Sequence, residues 1–317
     1  MLTIAIPTYD RNDKLVRSVE LLLPQLVEGV TLLILDNCSK IPVADSLSHR
    51  LAPNVQVIRN KYNVGMAANI IRCFENCTTE WMWLLGDDDP PHENAVEIIL
   101  RELEVHSDFS FFNFKSHLAS GRMNDDYAIG PDEFISKIDD FGNLLFLSLG
   151  VYNLQKLQCD FRLAYQLAYC LAPHMVLLLS GIKSDTKIGF LAREPINVAM
   201  WDTGASWSWL SVSMSIPTLY EVPLALGVQA KRRFAQMVKT HIKPPKQVHE
   251  MLVGTRYDTM PTYDKRFFLR QIFFRSLLFR TASKYILSFL WYDLKLLLDD
   301  KSNSRKVDSV ISRDERV

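Results

Sequence analysis

The sequence predicts an α/β fold: a mostly parallel sheet flanked by helices, continued by a helical C-terminal extension. Three observations lead there. Short apolar runs alternate with helix-periodic segments through roughly the first 115 residues, the pattern of βαβ units. Polar residues follow the strand ends at Thr8, Asp36, Asn63 and Asp87–Asp89, and parallel sheets bind ligands beyond those ends. The last part of the chain turns long, helical, aromatic and basic.

The elements read in order. Leu2–Ile6 is an apolar strand that Pro7-Thr8 should stop. Asp13–Leu26 carries Leu15, Val19, Leu22 and Leu26 at helical spacing. Thr31–Leu35 and Val55–Ile58 read as strands, Ala67–Glu75 as a helix, and Trp81–Leu85 as a strand. Asn94–Val105 reads as a helix and Phe109–Phe114 as a strand. From about Gly121 to Gly142 a polar, acidic loop with a short helix is expected, then a largely helical stretch over Leu144–Ser180. Lys187–Leu191, Ile196–Trp201 and Leu219–Leu226 read as short strands.

Composition narrows the function. The 317 residues suffice for one large α/β domain and an appendage. Lys plus Arg and Asp plus Glu number 36 each, so no global field draws the chain to nucleic acid. Five scattered cysteines read as reduced thiols; Cys73 and Cys77, four apart, do not make a zinc site. No basic segment precedes an apolar stretch at Met1–Pro7, which argues against a signal peptide. No uncharged apolar run approaches the ~18 residues of a membrane helix.

The strongest chemical signal is Trp81-Met82-Trp83-Leu84-Leu85-Gly86-Asp87-Asp88-Asp89. Three adjacent carboxylates after an apolar strand need a counter-charge. Mn²⁺ or Mg²⁺, which takes oxygen ligands together with substrate phosphates, supplies one. An acidic turn before Pro90-Pro91 is the alternative. Asp36-Asn37-Cys38-Ser39 closes the second strand, where a carboxylate can accept from a nucleobase N–H or a ribose hydroxyl, or simply form an Asx-turn. Asn63-Val64-Gly65-Met66 opens a helix; Asn63 suits a cap or turn, and Gly65 permits close backbone approach to a phosphate.

Together, Ile6-Pro7-Thr8-Tyr9-Asp10-Arg11, Leu35-Asp36-Asn37, Asn63–Asn69 and Leu85–Asp89 resemble the family 2 glycosyltransferases, which have the GT-A fold. The resemblance is specific to about residue 115, weaker to about 210 and absent beyond. It implies a nucleoside-diphosphate sugar donor, a divalent metal and inversion at the anomeric carbon. It also implies roles: Pro7, Thr8, Tyr9 and Arg11 line the nucleotide pocket, Asp36 contacts the base, Asp87 faces the ribose, and Asp88 binds the metal with Asp89 in support. Gly86 stands where many relatives carry the first Asp of their acidic motif.

Inverting transfer needs a general base for the acceptor hydroxyl. The family places a carboxylate at a helix start, where this chain has Pro173-His174. Two residues compete: His174, whose unperturbed pKa of ~6.5 suits proton abstraction, and Asp202 in Met200-Trp201-Asp202-Thr203-Gly204. Trp201, Trp207 and Trp209 beside it suit either a sugar platform or a core.

In Asp264–Leu298, Arg266, Arg270, Arg280 and Lys284 share one sector of a helical wheel and aromatic residues fill the rest. This suits an anionic membrane surface, or packing in a dimer or on the catalytic domain.

The expected organisation is a GT-A-like domain over 1–226 (donor half 1–115, acceptor half 116–226), a helical basic and aromatic region over 227–300, and a disordered charged tail over 301–317. The expected activity is sugar transfer to a glycan or lipid-linked acceptor in bacterial surface polysaccharide synthesis, in the cytoplasm or on the inner face of the cell membrane. A donor-binding scaffold subunit and a nucleotidyltransferase are the rivals. The second lacks its Gly-rich basic loop after the first strand.

Overall fold

The computed structural model describes residues 1–50, 52–198, 212, 215–254, 269–271, 273–274 and 286–298. The chain divides into two compact units: Met1–Ala205 with Thr218–Phe234, and Ser206–Pro217 with Ala235–Val317.

The first unit is built on an eight-stranded sheet of order β3-β2-β1-β4-β7-β5-β8-β6. Its strands are β1 (Leu2–Thr8), β2 (Val30–Asp36), β3 (Val55–Arg59), β4 (Trp81–Leu84), β5 (Phe111–Phe114), β6 (Asp126–Ile129), β7 (Gly150–Asn153) and β8 (Lys187–Leu191). β3, β2, β1 and β4 pair in parallel, as do β5 and β8. β7 runs antiparallel between β4 and β5, and β6 caps the β8 edge antiparallel.

Alternation along β1 sends Leu2, Ile4 and Ile6 to one face. There they pack with Leu15, Val19 and Leu22 of α1 (Asn12–Leu22) and with Trp81 and Trp83 of β4. Val96, Ile99 and Leu103 of a second long helix, Ala95–Val105, complete that layer. On the other face, the helix Met66–Asn76 packs against β1 and β2 through Ile70, Ile71 and Phe74. Both faces are covered, so the central strands are apolar throughout.

The strand order sets the site. The chain lays β2 and β3 on one side of β1, then crosses to place β4 on the other. The β1–β4 boundary is a topological switch point, and the loops leaving it open a crevice at the carboxyl edge.

Several expectations change. Pro7 does not stop β1, which pairs through Thr8 with Asp36. Leu85 donates to the Ala5 carbonyl, so odd residues of β1 turn their polar edge toward β4. The pairing with β4 ends at Ala5–Leu84, and Pro7, which lacks an N–H, lies beyond it. The helix expected to reach Leu26 ends at Leu22, and Leu23–Gln25 tightens into a 3₁₀ turn around Pro24.

The stretch read as largely helical, Leu144–Ser180, contains β7 in the middle of the sheet. A four-residue apolar strand inside a long apolar run cannot be told from buried helix by periodicity. Likewise the acidic segment after Gly121 supplies the edge strand β6 before its helix, Gly130–Lys137. The strand expected over Leu219–Leu226 is instead a 3₁₀ helix, Ile216–Glu221. Of Ile196–Trp201, Ile196 bridges Pro91, and residues 199–201 lie outside the described residues.

In the second unit, Val248, Leu252, Leu269, Phe289 and Leu296 form a small core. The described parts of the expected basic helix, 269–271, 273–274 and 286–298, are helical. The tail 301–317 lies outside the described residues.

Candidate functional site

Thr8 ends β1, and Asp87 follows β4 by three residues. The β1–β4 pairing brings them together: Thr8 Oγ1 donates to Asp87 Oδ2 at 2.7 Å. Arg11, just before α1, donates through Nη1 to Asp87 Oδ1 at 3.0 Å and to Asp88 Oδ2 at 3.1 Å. Lys14 Nζ, one turn into α1, lies 3.9 Å from the same Asp88 oxygen. Ser18 Oγ donates to the Asp87 carbonyl at 3.3 Å.

The third aspartate turns inward. Ser148 Oγ donates to Asp89 Oδ2 at 2.5 Å and accepts the Gly86 N–H at 2.8 Å. A Cβ on Gly86 would sit 2.3 Å from Asp89 Oδ2, so the glycine is what lets Asp89 fold back. This accounts for the departure at Gly86: an aspartate there would displace Asp89.

The three carboxylates have different surroundings. Asp87 is buried, and burial raises its pKa although Arg11 and Thr8 pull it down. Burial pushes Asp89 up to about 7, with Asp88 and Asp87 adding to the rise and Ser148 opposing it. Asp88 keeps 26% of its side chain exposed. Burial leads both upward shifts, and the pull of Arg11 does not cancel it. A divalent cation would favour the ionised forms. Among the described residues, no three His, Cys, Asp or Glu side chains form a self-contained metal site. Asp88, part exposed beside Arg11 and Lys14, is the carboxylate open to a cation that substrate phosphates would complete, whereas Asp89 is turned to Ser148.

Asp36 and the turn before the Met66–Asn76 helix form an adjoining cluster. Asp36 is fully buried. It accepts from Ser39 N at 2.8 Å, Val43 N at 3.3 Å and Arg59 Nη1 at 2.5 Å. Burial works to raise its pKa, but these bonds outweigh it and hold the carboxylate below its usual range. Asn63 Oδ1 accepts from Gly65 N at 2.9 Å and from Asn37 Nδ2 at 2.8 Å. Gly65, with φ of 84°, caps the helix in a conformation that favours glycine. Asn37 N donates to Thr8 O at 2.9 Å and joins this cluster to the β1 end. Tyr9 stands 42% exposed beside it.

His174 begins the helix Pro173–Gly181 and is 2% exposed. Its Nε2 lies 3.1 Å from the Leu145 carbonyl, which assigns the proton to Nε2. Among the described residues Nδ1 has no hydrogen-bond partner. Burial lowers the pKa to about 4, against a smaller rise from the Leu145 bond. No hydrogen bond among the described residues joins His174 to the aspartates. Asp202, Trp201, Trp207 and Trp209 lie outside the described residues.

Sequence reasoning missed Ser148, Lys14, Ser18 and Arg59, and quoted Asn37 only within its strand-end motif. Lys14 had a signal, since it follows Arg11 by one helical turn. Ser148 had none, being one hydroxyl in an apolar run.

Residues 3–138 match the model of glycosyl transferase family 2. An uncharacterized glycosyltransferase of Haemophilus influenzae is 30% identical over 111 residues, 35% of this chain and 37% of that protein. The match thus spans little more than a third of the relative. Residues 1–349 of S. aureus TarS, crystallised with UDP, superpose with a TM-score of 0.60 at 10% identity, covering 92% of this chain and 89% of that one. The same TarS fragment with UDP-GlcNAc gives 0.59 at 9% identity, with the same coverage. At such identity the likeness is one of fold. Residues 3–138 thus resemble glycosyl transferase family 2, and the fold is GT-A.

Proposed function

We propose that this chain transfers a sugar from a nucleoside-diphosphate sugar to a hydroxyl acceptor, with Asp87, Asp88 and Asp89 at the donor site. One observation carries the reading: β1 and β4 bring Thr8 and Arg11 into contact with Asp87 and Asp88 at the switch point of the sheet, with Asp89 next to them on Ser148. The TarS fragment, whose complexes hold UDP and UDP-GlcNAc, shares that fold and supports a nucleotide-sugar donor.

In this reading Pro7, Thr8, Tyr9 and Arg11 line the nucleotide pocket. Asp36, Asn63 and Gly65 shape its far wall, and Asp87 faces the ribose. Asp88 and Asp89 would hold Mn²⁺ or Mg²⁺, which when bound would neutralise a leaving diphosphate. Arg11 and Lys14, already beside Asp88, add positive charge where the diphosphate would lie. Transfer inverts the anomeric centre, and a glycan or lipid-linked acceptor of a surface polysaccharide is the substrate class. His174 or Asp202 acts as base; the Leu145 carbonyl keeps the His174 proton on Nε2, and the buried, unpartnered Nδ1 would have to be uncovered to accept from an acceptor hydroxyl.

A second reading, a donor-binding scaffold subunit, draws on the 2% exposure of His174 and the missing carboxylate at its position. Thermal melts with UDP-, GDP- and dTDP-sugars and Mn²⁺, followed by assay of nucleotide release, separate the two. A catalyst shows a shift with one donor, lost in Asp88→Asn, and turnover lost in His174→Ala with donor binding kept. A shift without turnover supports the scaffold. No shift with any donor removes both.

A further inference from the structure

The turn Asn63–Gly65, just before the helix Met66–Asn76, is held largely through Asn37, which follows β2. Val64 N donates to Asn37 Oδ1 at 3.0 Å. Gly65 N donates to Asn63 Oδ1, which also receives Asn37 Nδ2. Asn37 thus supports the turn at two points, while Tyr62 and Met66 on either side of it stand 66% and 52% exposed. Where the turn sits depends on where Asn37 sits.

Asn37 is held in its turn by a relay that ends on a guanidinium. Asn60 Nδ2 donates to Asn37 Oδ1 at 3.0 Å and to Asn69 Oδ1 at 2.8 Å. Asn69 Nδ2 donates to the Leu35 carbonyl at 2.9 Å. Asn60 Oδ1 accepts from Arg72 Nη1 at 2.5 Å. Asn69 and Arg72 are three apart on the helix, so they share a face and both reach Asn60. Asn37, Asn60 and Asn69 are buried, where an unmade bond is costly. The donors admit one orientation of these amides. Val64 N can only donate, so Asn37 must present its oxygen. Asn60 must then present its nitrogen to that oxygen, which leaves its own oxygen for Arg72, a group that can only donate. Each bond in the chain polarises the next. Arg72 is anchored on its far side by Tyr165 of the helix Phe161–Gln166, whose hydroxyl accepts from it and donates to Glu75 Oε2 at 2.9 Å.

We propose that Arg72 and Asn60 are positioning residues of the donor site: through Asn37 they hold Asn63–Gly65 where that turn can line the nucleotide pocket. Neither acts on the donor directly. The proposal rests on the donor-site reading above and adds two residues to it. Cutting the relay at Arg72 should loosen the turn and weaken donor binding, while the Thr8–Asp87 and Arg11–Asp88 bonds, made by other side chains, stay in place.

The test uses the full chain in two measurements. Hydrogen exchange followed by mass spectrometry reads residues 60–66 with no ligand added. Arg72→Met keeps an apolar stem and removes the donors. Exchange at 60–66 should then speed up about tenfold or more, while that of β1 and β4 stays unchanged. Titration of the melting temperature with the nucleotide sugar that shifts the wild type, in the presence of Mn²⁺, should show an apparent affinity lowered about tenfold. Asn60→Asp keeps an acceptor for Arg72, but its carboxylate cannot donate to Asn37, so it should reproduce both losses. Arg72→Lys can still donate to Asn60 Oδ1 and should recover part of each. Unchanged exchange at 60–66 in Arg72→Met, or wild-type behaviour of Asn60→Asp, would overturn the relay. Faster exchange with unchanged donor affinity would overturn the positioning role and leave the donor-site reading standing. A lower melting temperature with neither change would make Arg72 a structural residue only and overturn the proposal as well. If no nucleotide sugar shifts the wild type, the donor-site reading falls and the positioning role falls with it, even where the exchange shows the relay holding the turn.

Discussion

Ser148 and Asp89 are 59 residues apart in the chain and 2.5 Å apart in space. The same hydroxyl receives the Gly86 N–H, and the Ser148 carbonyl accepts from Trp83 Nε1 at 2.8 Å. One buried serine therefore grips the strand and the loop that carry the acidic triplet. Asp87 and Asp88 face the β1 end, and Asp89 is drawn back against the 3₁₀ turn Leu147–Leu149.

Ser148→Ala removes a charge-assisted bond and leaves Gly86 N and Asp89 unpartnered in a buried place. A loss of about 1–3 kcal/mol in unfolding free energy is expected. Chemical denaturation measures it, and a loss confined to a few tenths would mean the loop is held by other contacts. Donor-induced thermal stabilisation should shrink as well.

Gly86→Ala introduces a Cβ only 2.3 Å from Asp89 Oδ2. Asp89 must swing out or the loop must shift. Cation- and donor-dependent stabilisation should fall at least tenfold in apparent affinity, a change of about 1.4 kcal/mol. Retained affinity in a titration followed by melting temperature would show that the inward Asp89 is dispensable.

Arg11 serves as the internal counter-charge of Asp87 and Asp88. Arg11→Ala should lower stability without cation, because buried Asp87 loses its partner. Added Mg²⁺ or Mn²⁺ should then raise the melting temperature more in the variant than in the wild type. An equal shift in both would remove Arg11 from this role. Turnover should still fall, since the cation does not restore the guanidinium beside the diphosphate.

His174 gives a pH signature. Burial holds its folded pKa at about 4, below the ordinary imidazole value of about 6.5. The unfolded chain therefore binds the proton more readily between those values. Stability from this group is fully present above about 6.5 and is lost as pH falls toward about 4, by on the order of 3 kcal/mol. His174→Gln can still donate to the Leu145 carbonyl but cannot titrate. Its stability relative to wild type should rise as pH drops through that window. A difference that stays flat with pH would indicate that the imidazole is solvated.

Much of the donor side was legible in the sequence because its signals are local. The parallel half of the sheet follows from apolar runs separated by helix-periodic segments. The polar ends Thr8, Asp36 and Asp87 follow from where those runs stop. Thr8 and Arg11 meet Asp87 and Asp88 at that rim. Asp36 was visible as a strand-end carboxylate, but not its enclosure by Ser39, Val43 and Arg59. The middle of the chain was less legible. β7 hides in an apolar run whose composition suits helix and buried strand equally, and Ser148 hides just before it.

By itself, then, the sequence determined the order of elements through residue 115, the polar strand ends and the acidic triplet. Periodicity and turn chemistry act over a few residues, and they can be read without a fold. The tertiary structure alone decided that Arg11 spans Asp87 and Asp88, that Ser148 draws Asp89 inward, and that His174 is enclosed. Each depends on contacts made across long stretches of chain or on which neighbours exclude water. Those are properties of topology and packing, and no local pattern carries them.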